Sequence, residues 1–365
     1  MDASDSKLRI EMAIEAFARG EIVVVTDDDD RENEGDLFAA ASMCTPEKMA
    51  FIIRHTSGIV CAPLAEEDAR RLRLDPMVSS NDAPLGTAFT VSVDFRHGLT
   101  TGISAEERTN TVRALANDNT GAADFVRPGH VFPLIAKAGG VLMRSGHTEA
   151  CVDLCRLAGL PDVGVLAELM NDDGTVMRGG DVAAFAAQHG LRAISIADLI
   201  SYRQAREKLV ERVSEFSVAT EIGTLRGYAY VTPFDKVYHM AGVYGRIGEG
   251  NNVPTRLHRA SLIDDVFGGA KSVKAVLRRF EQEGRGVIVV LRDGTAGVPV
   301  SAPPHEGSTR SEAERHRQWR EVGLGAQILK DLGVSSIRLL TSAKHRYVGL
   351  AGFGIEISSI EPIEG

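Results

Sequence analysis

The sequence predicts a mixed α+β (α/β) protein of two domains, each a mixed sheet packed with helices. The chain has 365 residues, and at about 150 residues per domain that length fits two domains or three. Short β-branched runs alternate with helical patterns along the whole chain, as is typical of this class. A polar helical stretch over 202–214 separates an acidic part from a more basic part. We therefore place the boundary near residue 208, giving domains over 1–208 and 209–365.

The first domain is predicted to begin with an amphipathic helix over 6–19, because apolar residues recur there at helical spacing. The run EIVVVT at 21–26 is short, apolar and β-branched, as buried strands are. Residues 88–95 alternate apolar and polar side chains, which indicates a half-buried strand. The same patterns predict helices over 46–55, 105–117, 148–158, 181–189 and 196–208, and strands over 58–62, 139–143, 163–169 and 193–196.

The second domain begins again with strands. Its short apolar runs predict strands and its longer periodic runs predict helices. Residues 301–320 contain almost no apolar side chain, so we expect a mobile surface segment there. The predicted strands cover 213–219, 225–231, 237–244, 286–291, 336–341 and 354–358, and the predicted helices cover 272–283 and 324–332.

Composition excludes several classes of protein. Hydrophobic residues make up 44% and charged residues 25% of the chain, as in ordinary globular proteins. No apolar run reaches the roughly 18 residues of a membrane helix, and the N-terminus lacks a basic stretch followed by an apolar core. The net charge is −9, with the acidic excess in the first part, which argues against nucleic acid as a partner. We expect a cytoplasmic protein that binds neither nucleic acid nor membrane, and whose four cysteines are reduced thiols.

An acidic motif follows the first predicted strand. Residues 27–36 (DDDDRENEGD) hold seven carboxylates and one arginine. A solvated turn is the general alternative for such a run. Here the run leaves a buried strand and an apolar stretch resumes at once, so the carboxylates lie against a core edge and need a cation or a positive ligand group to offset their repulsion. Mg²⁺ prefers such oxygen ligands, and Arg31 could hold an anionic or hydroxyl-rich part of the same ligand.

Three further positions are candidates for chemistry. RSGHTEA (144–150) joins a strand to a helix, where Thr148 is a plausible cap and the helix start is an anion site. His147 in this motif could bind metal or move a proton, although a structural histidine is the alternative. RPGHVFPL (127–134) reads as a rigid loop that fixes His130 between two prolines, or as a structural turn. Glu168 ends a buried strand and is a candidate base.

These motifs resemble those of one family. DDDDRENEGDL, TTGISAEER (100–108), RPGHVFPL, SGHTEA and AELMNDDGT (167–175) stand in the order and spacing of 3,4-dihydroxy-2-butanone 4-phosphate synthase of riboflavin biosynthesis. The resemblance covers about residues 6–206. It implies conversion of ribulose 5-phosphate to 3,4-dihydroxy-2-butanone 4-phosphate and formate, with Mg²⁺ or Mn²⁺ as cofactor, two ions, and a homodimer.

The resemblance also implies roles for particular residues. The metal ligands would be Glu32 and His147. The catalytic residues would be His130 and Glu168. The substrate would be bound by Arg31, Glu32, Asp36, Arg144, Ser145, Gly146, His147, Thr148 and Glu168. Three further pocket residues with less defined roles would be Asp27, Glu34 and Cys61.

Residues from about 212 resemble the GTP cyclohydrolase II domain that is often fused to this synthase, in RLHRASLIDDVFGG (256–269), EGRGVIVVLRDG (283–294) and the segment 323–341. That domain needs zinc on three cysteines. Here Ser261 stands at the first of these positions, the other two are deleted near 269–271, and residues 211–365 contain no cysteine. We expect no zinc and a second domain that is structural or regulatory.

Two alternatives remain open at the level of sequence. One is a bifunctional enzyme that also hydrolyses GTP, against which the missing cysteines argue. The other is a non-catalytic regulatory or scaffold protein, against which the five intact motifs of the first domain argue.

Overall fold

The structure is a computed structural model that describes residues 3–27, 32–83, 85–208, 210–233, 237–292, 323–341 and 355–363. The chain divides into two compact units, Met1–Tyr202 and Arg203–Gly365. Each unit contains a seven-stranded mixed sheet with helices packed on it, so the predicted fold class is confirmed. The boundary predicted near residue 208 lies a few residues beyond this division, between the helix ending at Arg206 and the strand beginning at Glu211.

The first unit contains seven helices and seven strands among its described residues. The helices are α1 (Ala3–Ala18), α2 (Pro46–His55), α3 (Glu66–Arg71), α4 (Ala105–Leu115), α5 (His147–Leu157), α6 (Gly179–Gln188) and α7 (Ile196–Arg206). The strands are β1 (Val23–Thr26), β2 (Gly35–Ala40), β3 (Cys61–Leu64), β4 (Val93–Phe95), β5 (Phe125–Ile135), β6 (Gly164–Glu168) and β7 (Arg192–Ser195). Short 3₁₀ helices cover Ala41–Met43, Ala122–Asp124 and Gly140–Leu142.

The order of the first sheet is β4-β5-β3-β6-β2-β1-β7. β2 runs antiparallel to both β1 and β6, while β3 runs parallel to β5. This register places Asp36 opposite Glu168, and Cys61 opposite Leu166. Residues more than 100 positions apart in the chain therefore meet at one place in the sheet, and the candidate site is built there.

The core of this unit is formed by the apolar faces of the sheet and of its helices. Val24, Leu37 and Val165 of the central strands are fully buried, and Met49 and Ile52 of α2 pack into the same cluster. All four cysteines are buried and free, so the prediction of reduced thiols is confirmed. Burial raises the pKa of the Cys44 thiol to about 11, which makes this side chain a small apolar residue at neutral pH.

Two local predictions in the first domain are wrong, and one short helix was not predicted. Residues 139–143 form no strand: Gly139 and Gly140 have φ of 90° and 62°, and these left-handed conformations start a 3₁₀ helix that continues through Leu142. RPGHVFPL lies within strand β5 and is not a loop. Pro128 falls at the register shift between β4 and β5, where a strand tolerates a residue without an N–H. Helix α3 was not predicted, because six residues are too few for a periodic pattern.

The second unit contains β8 to β14 and two long helices among its described residues. The strands are β8 (Glu211–Thr220), β9 (Gly223–Val231), β10 (Tyr238–Gly245), β11 (Val253–Arg259), β12 (Arg285–Leu291), β13 (Ser336–Thr341) and β14 (Glu356–Pro362), and the helices are α8 (Lys271–Glu283) and α9 (323–331). The sheet order is β14-β13-β11-β12-β10-β9-β8. One face carries α8, whose Val276, Leu277 and Phe280 pack on Ile288 and Leu340.

Two predictions concern segments beyond these elements. The segment 301–320, predicted to be a mobile surface stretch, lies outside the described residues. Among the residues that are described, no helix is long and apolar enough to cross a membrane.

Candidate active site

A cleft opens beside the ends of β2 and β6, at the start of helix α5. Side chains from the acidic motif, from α5 and from several strands surround it. Its lining residues are Glu32, Glu34, Asp36, Cys61, Thr87, Phe89, Leu134, Arg144, His147, Thr148, Leu166 and Glu168. Eight of the predicted site residues are therefore brought together by the fold. Ser145, Gly146, Asp27 and His130 are absent from the described lining, and Arg31 lies outside the described residues.

Asp27, at the start of the acidic motif, binds the backbone of two later residues of the motif. One oxygen of the Asp27 carboxylate accepts the backbone N–H of Glu32 at 3.0 Å, and the other accepts that of Glu34 at 2.9 Å. Asp27 is only 7% exposed, so these bonds replace its lost hydration. The described end of the motif, from Glu32 to Glu34, is thus held to the buried Asp27 side chain. It carries Glu32 and Glu34 into the cleft.

Three side chains form a possible cation site. Ligand atoms of Asp27, Glu32 and His147 all lie within 4.8 Å of one another. Nδ1 of His147 is 3.5 Å from Oε2 of Glu32, and its Nε2 is 3.9 Å from Oδ1 of Asp36. His147 is buried, which fixes its ring in the cleft. Carboxylate oxygens with one imidazole are a donor set that suits Mg²⁺ or Mn²⁺.

Asp36 lies at the buried floor of this cluster. Its pKa is raised to about 7, mainly by burial and in addition by the neighbouring carboxylates of Glu168 and Glu32, while His147 opposes the change. Among the described residues, Oδ1 of Asp36 is buried without a hydrogen-bond donor. A bound cation would satisfy this oxygen and lower the repulsion between the carboxylates.

Glu168 ends strand β6 beside this cluster. Its Oε2 accepts a hydrogen bond from the Ser57 hydroxyl at 2.8 Å, which orients the carboxylate towards the cleft that it lines. Cys61 lies on the neighbouring strand, and burial together with Glu168 and Asp36 raises the pKa of its thiol. Cys61 therefore lines the cleft as a neutral thiol and does not act as a nucleophile.

The start of helix α5 forms another side of the cleft. The helix begins at His147 with Gly146 as its N-cap, so the prediction that Thr148 caps it is wrong; Thr148 lies in the first turn. Nη1 of Arg144 pairs with Oε2 of Glu149 at 2.7 Å. A Cβ on Gly146 would lie 2.3 Å from that nitrogen. A side chain at position 146 would displace this ion pair, which passes directly over the Gly146 backbone.

His130 is held away from this cleft by a second carboxylate. Nδ1 of His130 is 2.7 Å from Oδ2 of Asp94, and Oδ1 of Asp94 accepts the His130 backbone N–H at 2.8 Å. Asp94 is 3% exposed, whereas the His130 side chain is 41% exposed. A Cβ on Gly102, from the TTGISAEER motif, would lie 2.6 Å from His130 Nδ1. The motif thus supports the histidine through a close backbone approach.

Sequence reasoning missed several residues of this site. Asp94 sits in a strand whose alternation gave only a secondary-structure signal. Glu149 lies within the RSGHTEA motif, is 1% exposed and is the partner of Arg144. Thr87 and Phe89 line the cleft from a segment without a motif. No local signal marks these positions, because their role depends on distant partners.

The family follows from comparison with known proteins. The model of the 3,4-dihydroxy-2-butanone 4-phosphate synthase family matches residues 11–202. The chain belongs to that family. The model of the GTP cyclohydrolase II family matches residues 211–362. Both resemblances drawn from the motifs are thereby confirmed, and the first domain is a 3,4-dihydroxy-2-butanone 4-phosphate synthase of riboflavin biosynthesis.

Two relatives from Arabidopsis thaliana carry both domains. The bifunctional riboflavin biosynthesis protein RIBA 1, chloroplastic, is 45% identical over 369 residues, which span 96% of this chain and 68% of the relative. The monofunctional riboflavin biosynthesis protein RIBA 2, chloroplastic, is 45% identical over 370 residues, which span 99% of this chain and 78% of the relative. The match over the second domain and the first of these names favour the bifunctional alternative, whereas the second name describes a single activity.

Two solved structures are similar to this synthase. RibBX, a two-domain 3,4-dihydroxy-2-butanone 4-phosphate synthase from A. baumannii, superposes with a TM-score of 0.81 at 36% identity and covers 96% of this chain and 99% of its own. A 3,4-dihydroxy-2-butanone 4-phosphate synthase in complex with two magnesium ions has a TM-score of 0.53 at 47% identity, covering 54% of this chain and 97% of its own. The second structure and the Asp27–Glu32–His147 cluster support a divalent-cation site in the first domain.

Proposed function

We propose that the first domain converts ribulose 5-phosphate to 3,4-dihydroxy-2-butanone 4-phosphate and formate, with two Mg²⁺ or Mn²⁺ ions held by Glu32 and His147. The observation that carries this proposal is the meeting of Glu32, Asp36, His147 and Glu168 in one cleft. The two products together contain all the atoms of the substrate. The reaction therefore needs no oxidant or co-substrate, only proton transfer and a fixed geometry for the migrating carbon.

The residues of the cleft have different roles in this reaction. A divalent cation on Glu32 and His147 would stabilise the negative charge that develops on adjacent substrate oxygens. Glu168, which the Ser57 hydroxyl orients, accepts and returns the proton next to the substrate carbonyl. Asp36 lies opposite it in the sheet and holds a substrate hydroxyl. These roles need the four side chains in fixed positions, which the strand register supplies.

The phosphate end of the substrate binds at the start of helix α5. The first-turn amides of His147 and Thr148 have no helical acceptors and favour an anion. One guanidinium nitrogen of Arg144 pairs with Glu149, and a second donates a hydrogen bond to the Leu85 carbonyl at 3.1 Å. Its guanidinium is therefore fixed in position, and its positive charge attracts the substrate phosphate. The binding energy of the phosphate, which is remote from the reaction, positions the reacting carbons.

Formate release from ribulose 5-phosphate tests this proposal. Protein treated with a chelator should lose the activity, and Mg²⁺ or Mn²⁺ should restore it. Glu32→Gln should lose most turnover, while Glu66→Gln, which removes an exposed carboxylate on α3, should keep it. Full activity in metal-free protein, or equal losses in the two variants, would contradict the assignment of Glu32.

The position of His130 favours the predicted homodimer. Leu134 of β5 lines the cleft, and His130 lies four residues earlier on the same strand, about 13 Å away. A second copy of the chain would let His130 of one protomer serve the cleft of the other. Mixing His130→Ala with Glu32→Gln protein should then restore up to about a quarter of the activity, since some mixed dimers contain one complete site. Monomeric protein in light scattering, or no restored activity after subunit exchange, would refute this arrangement.

The second domain is proposed to lack cyclohydrolase activity and to serve a structural or regulatory role. Residues 211–365 contain no cysteine, and the Ser261 hydroxyl, at the expected position of a zinc ligand, donates to Asp264 at 2.9 Å. Thiolates cannot hold zinc there. Incubation with GTP and Zn²⁺ should yield neither formate nor pyrophosphate; turnover of GTP would establish the bifunctional alternative. Location in the cytoplasm stays a prediction.

A further inference from the structure

A buried arginine of the TTGISAEER motif has no role in the reaction above. Arg108, on helix α4, is 5% exposed. Its Nη1 donates a hydrogen bond to the Gly58 carbonyl at 2.8 Å, while its Nε is buried without an acceptor among the described residues. Burial lowers the pKa of Arg108, and the carboxylate of Asp94 opposes this change. A buried cation with an unpaired N–H lowers stability, so packing alone does not explain an arginine at this position.

The carbonyl that Arg108 binds belongs to the turn between α2 and β3, residues 56–59. Gly58 has a φ of 74°, and its N–H donates to the Thr56 hydroxyl at 3.2 Å. The Thr56 hydroxyl donates in turn to the Ile52 carbonyl of α2 at 2.7 Å. The 56–59 turn is therefore fixed to the end of α2 on one side and to α4, through Arg108, on the other.

The same turn makes two contacts with Glu168, the proposed base. The Ser57 N–H donates to the Glu168 backbone carbonyl at 2.9 Å, and the Ser57 hydroxyl donates to Oε2 of Glu168 at 2.8 Å. The hydroxyl oxygen also accepts the Ile59 N–H at 3.3 Å. A shift of the turn would therefore change the direction of the Glu168 carboxylate.

Helix α4 provides a fixed base for the arginine. The Ser104 side chain caps the helix by accepting the Glu107 N–H. One turn after Arg108, the Thr111 hydroxyl accepts the Phe95 N–H of β4 at 2.9 Å. Arg108 thus extends from a helix that is anchored to the sheet, and its bond can hold the 56–59 turn in place.

We propose that Arg108 is a positioning residue of the synthase reaction, which fixes the 56–59 turn and, through Ser57, the direction of the Glu168 carboxylate. This inference rests on the proposed role of Glu168 as the base. Proton transfer requires the base at a fixed distance from the substrate, so a small displacement lowers turnover. Neither Arg108 nor Ser57 lines the cleft among the described residues, so substrate binding should be little affected.

Formate release by the full chain tests the effect on turnover. Arg108→Met should lower kcat about 10- to 100-fold and change KM less than about twofold. Arg71→Met is the matched control, because Arg71 also donates to a backbone carbonyl, that of Thr120 at 2.7 Å, and does not line the cleft. It should change kcat less than about twofold. Equal kcat values in the two variants would overturn the proposal.

A double variant tests whether Arg108 acts through Ser57. Effects on one path are not additive, so Ser57→Ala combined with Arg108→Met should lose far less than the product of the two single losses. Losses that multiply would overturn the proposed path.

A pair of glycine variants decides the matter if Arg108→Met does not fold. Gly58 and Gly159 have φ of 74° and 70°, and a Cβ on either would meet open space. Gly58→Ala and Gly159→Ala therefore carry similar backbone strain, but only the first changes the 56–59 turn. Gly58→Ala should lower kcat and Gly159→Ala should not, and equal kcat values would overturn the proposal.

Hydrogen exchange of the Ser57 amide separates this inference from the proposed reaction. The amide reports the turn in the absence of substrate. It should exchange about tenfold faster in Arg108→Met, because one hydrogen bond that holds the turn is lost, and at an unchanged rate in Arg71→Met. An unchanged rate in Arg108→Met would overturn the role of Arg108 alone. Full turnover in Glu168→Gln would instead refute the proposed base and, with it, the purpose assigned to Arg108.

Discussion

Replacing Asp94 with asparagine tests how His130 acts. Asp94 accepts both the backbone N–H and the Nδ1–H of His130, which leaves the Nε2 lone pair of the neutral ring available as a base. Asparagine can still accept the backbone N–H with its oxygen. Its amide nitrogen then faces Nδ1 and donates to it, so the proton of the neutral ring moves to Nε2 and the base is lost.

The expected magnitude follows from the bond that is removed. The Nδ1···Oδ2 distance is 2.7 Å, and Asp94 is buried. A hydrogen bond to a charged group contributes about 1.5–3 kcal/mol. Since about 1.36 kcal/mol corresponds to a factor of ten in rate, kcat for formate release should fall about 10- to 160-fold. KM should change little, because neither residue lines the cleft among the described residues.

A matched control shows whether the fall in kcat is specific to the His130–Asp94 pair or follows the removal of any histidine–aspartate pair. His97 and Asp124 form such a pair at 2.8 Å, but on the surface, where ion pairs contribute little. Asp124→Asn should therefore change kcat less than about twofold. ¹⁵N signals of the ring should report the change of tautomer at His130 in Asp94→Asn. An unchanged kcat, or equal losses in the two variants, would refute the proposed role of Asp94.

Three further predictions concern other parts of the chain. Arg144→Ala should raise KM more than it lowers kcat, and should lower the free energy of unfolding by about 3–5 kcal/mol because Glu149 stays buried without its cationic partner. Because burial raises the pKa of Glu149, the loss of stability in chemical denaturation should be smaller at pH 5 than at pH 8. An equal loss at the two pH values would argue against the pair. Burial lowers the pKa of His239 to about 4, so the unfolded state binds more protons than the folded state between about pH 6.5 and 4. The stability of the second domain should therefore fall by a few kcal/mol as the pH falls through that range. His239→Gln should flatten this dependence of stability on pH, and an unchanged dependence would assign it to other groups. A chain ending after residue 208 should keep synthase activity, and a well-folded truncated protein without activity would show that the second domain helps to build the site.

Local sequence determined most elements and their order. The β-branched run before the acidic motif, the helix after Thr45 and the strand before Glu168 each have an apolar periodicity that survives in the structure. Errors occurred where backbone conformation overrides side-chain pattern. Gly139 and Gly140 turn an apolar run into a 3₁₀ helix, and the prolines of RPGHVFPL obscure strand β5.

Sequence by itself determined the chemistry that each domain can offer. Seven carboxylates beside a buried strand, with a histidine at a helix start, predicted a cation site, and the lack of cysteine in residues 211–365 argued against zinc. Only the tertiary structure decided which of these groups act together. The register of β2 and β6 places Asp36 opposite Glu168, Asp94 reaches His130 across 36 positions, and Arg108 reaches the Gly58 carbonyl across 50 positions. Such contacts depend on strand pairing and helix packing between distant segments, and no local pattern of residues encodes them.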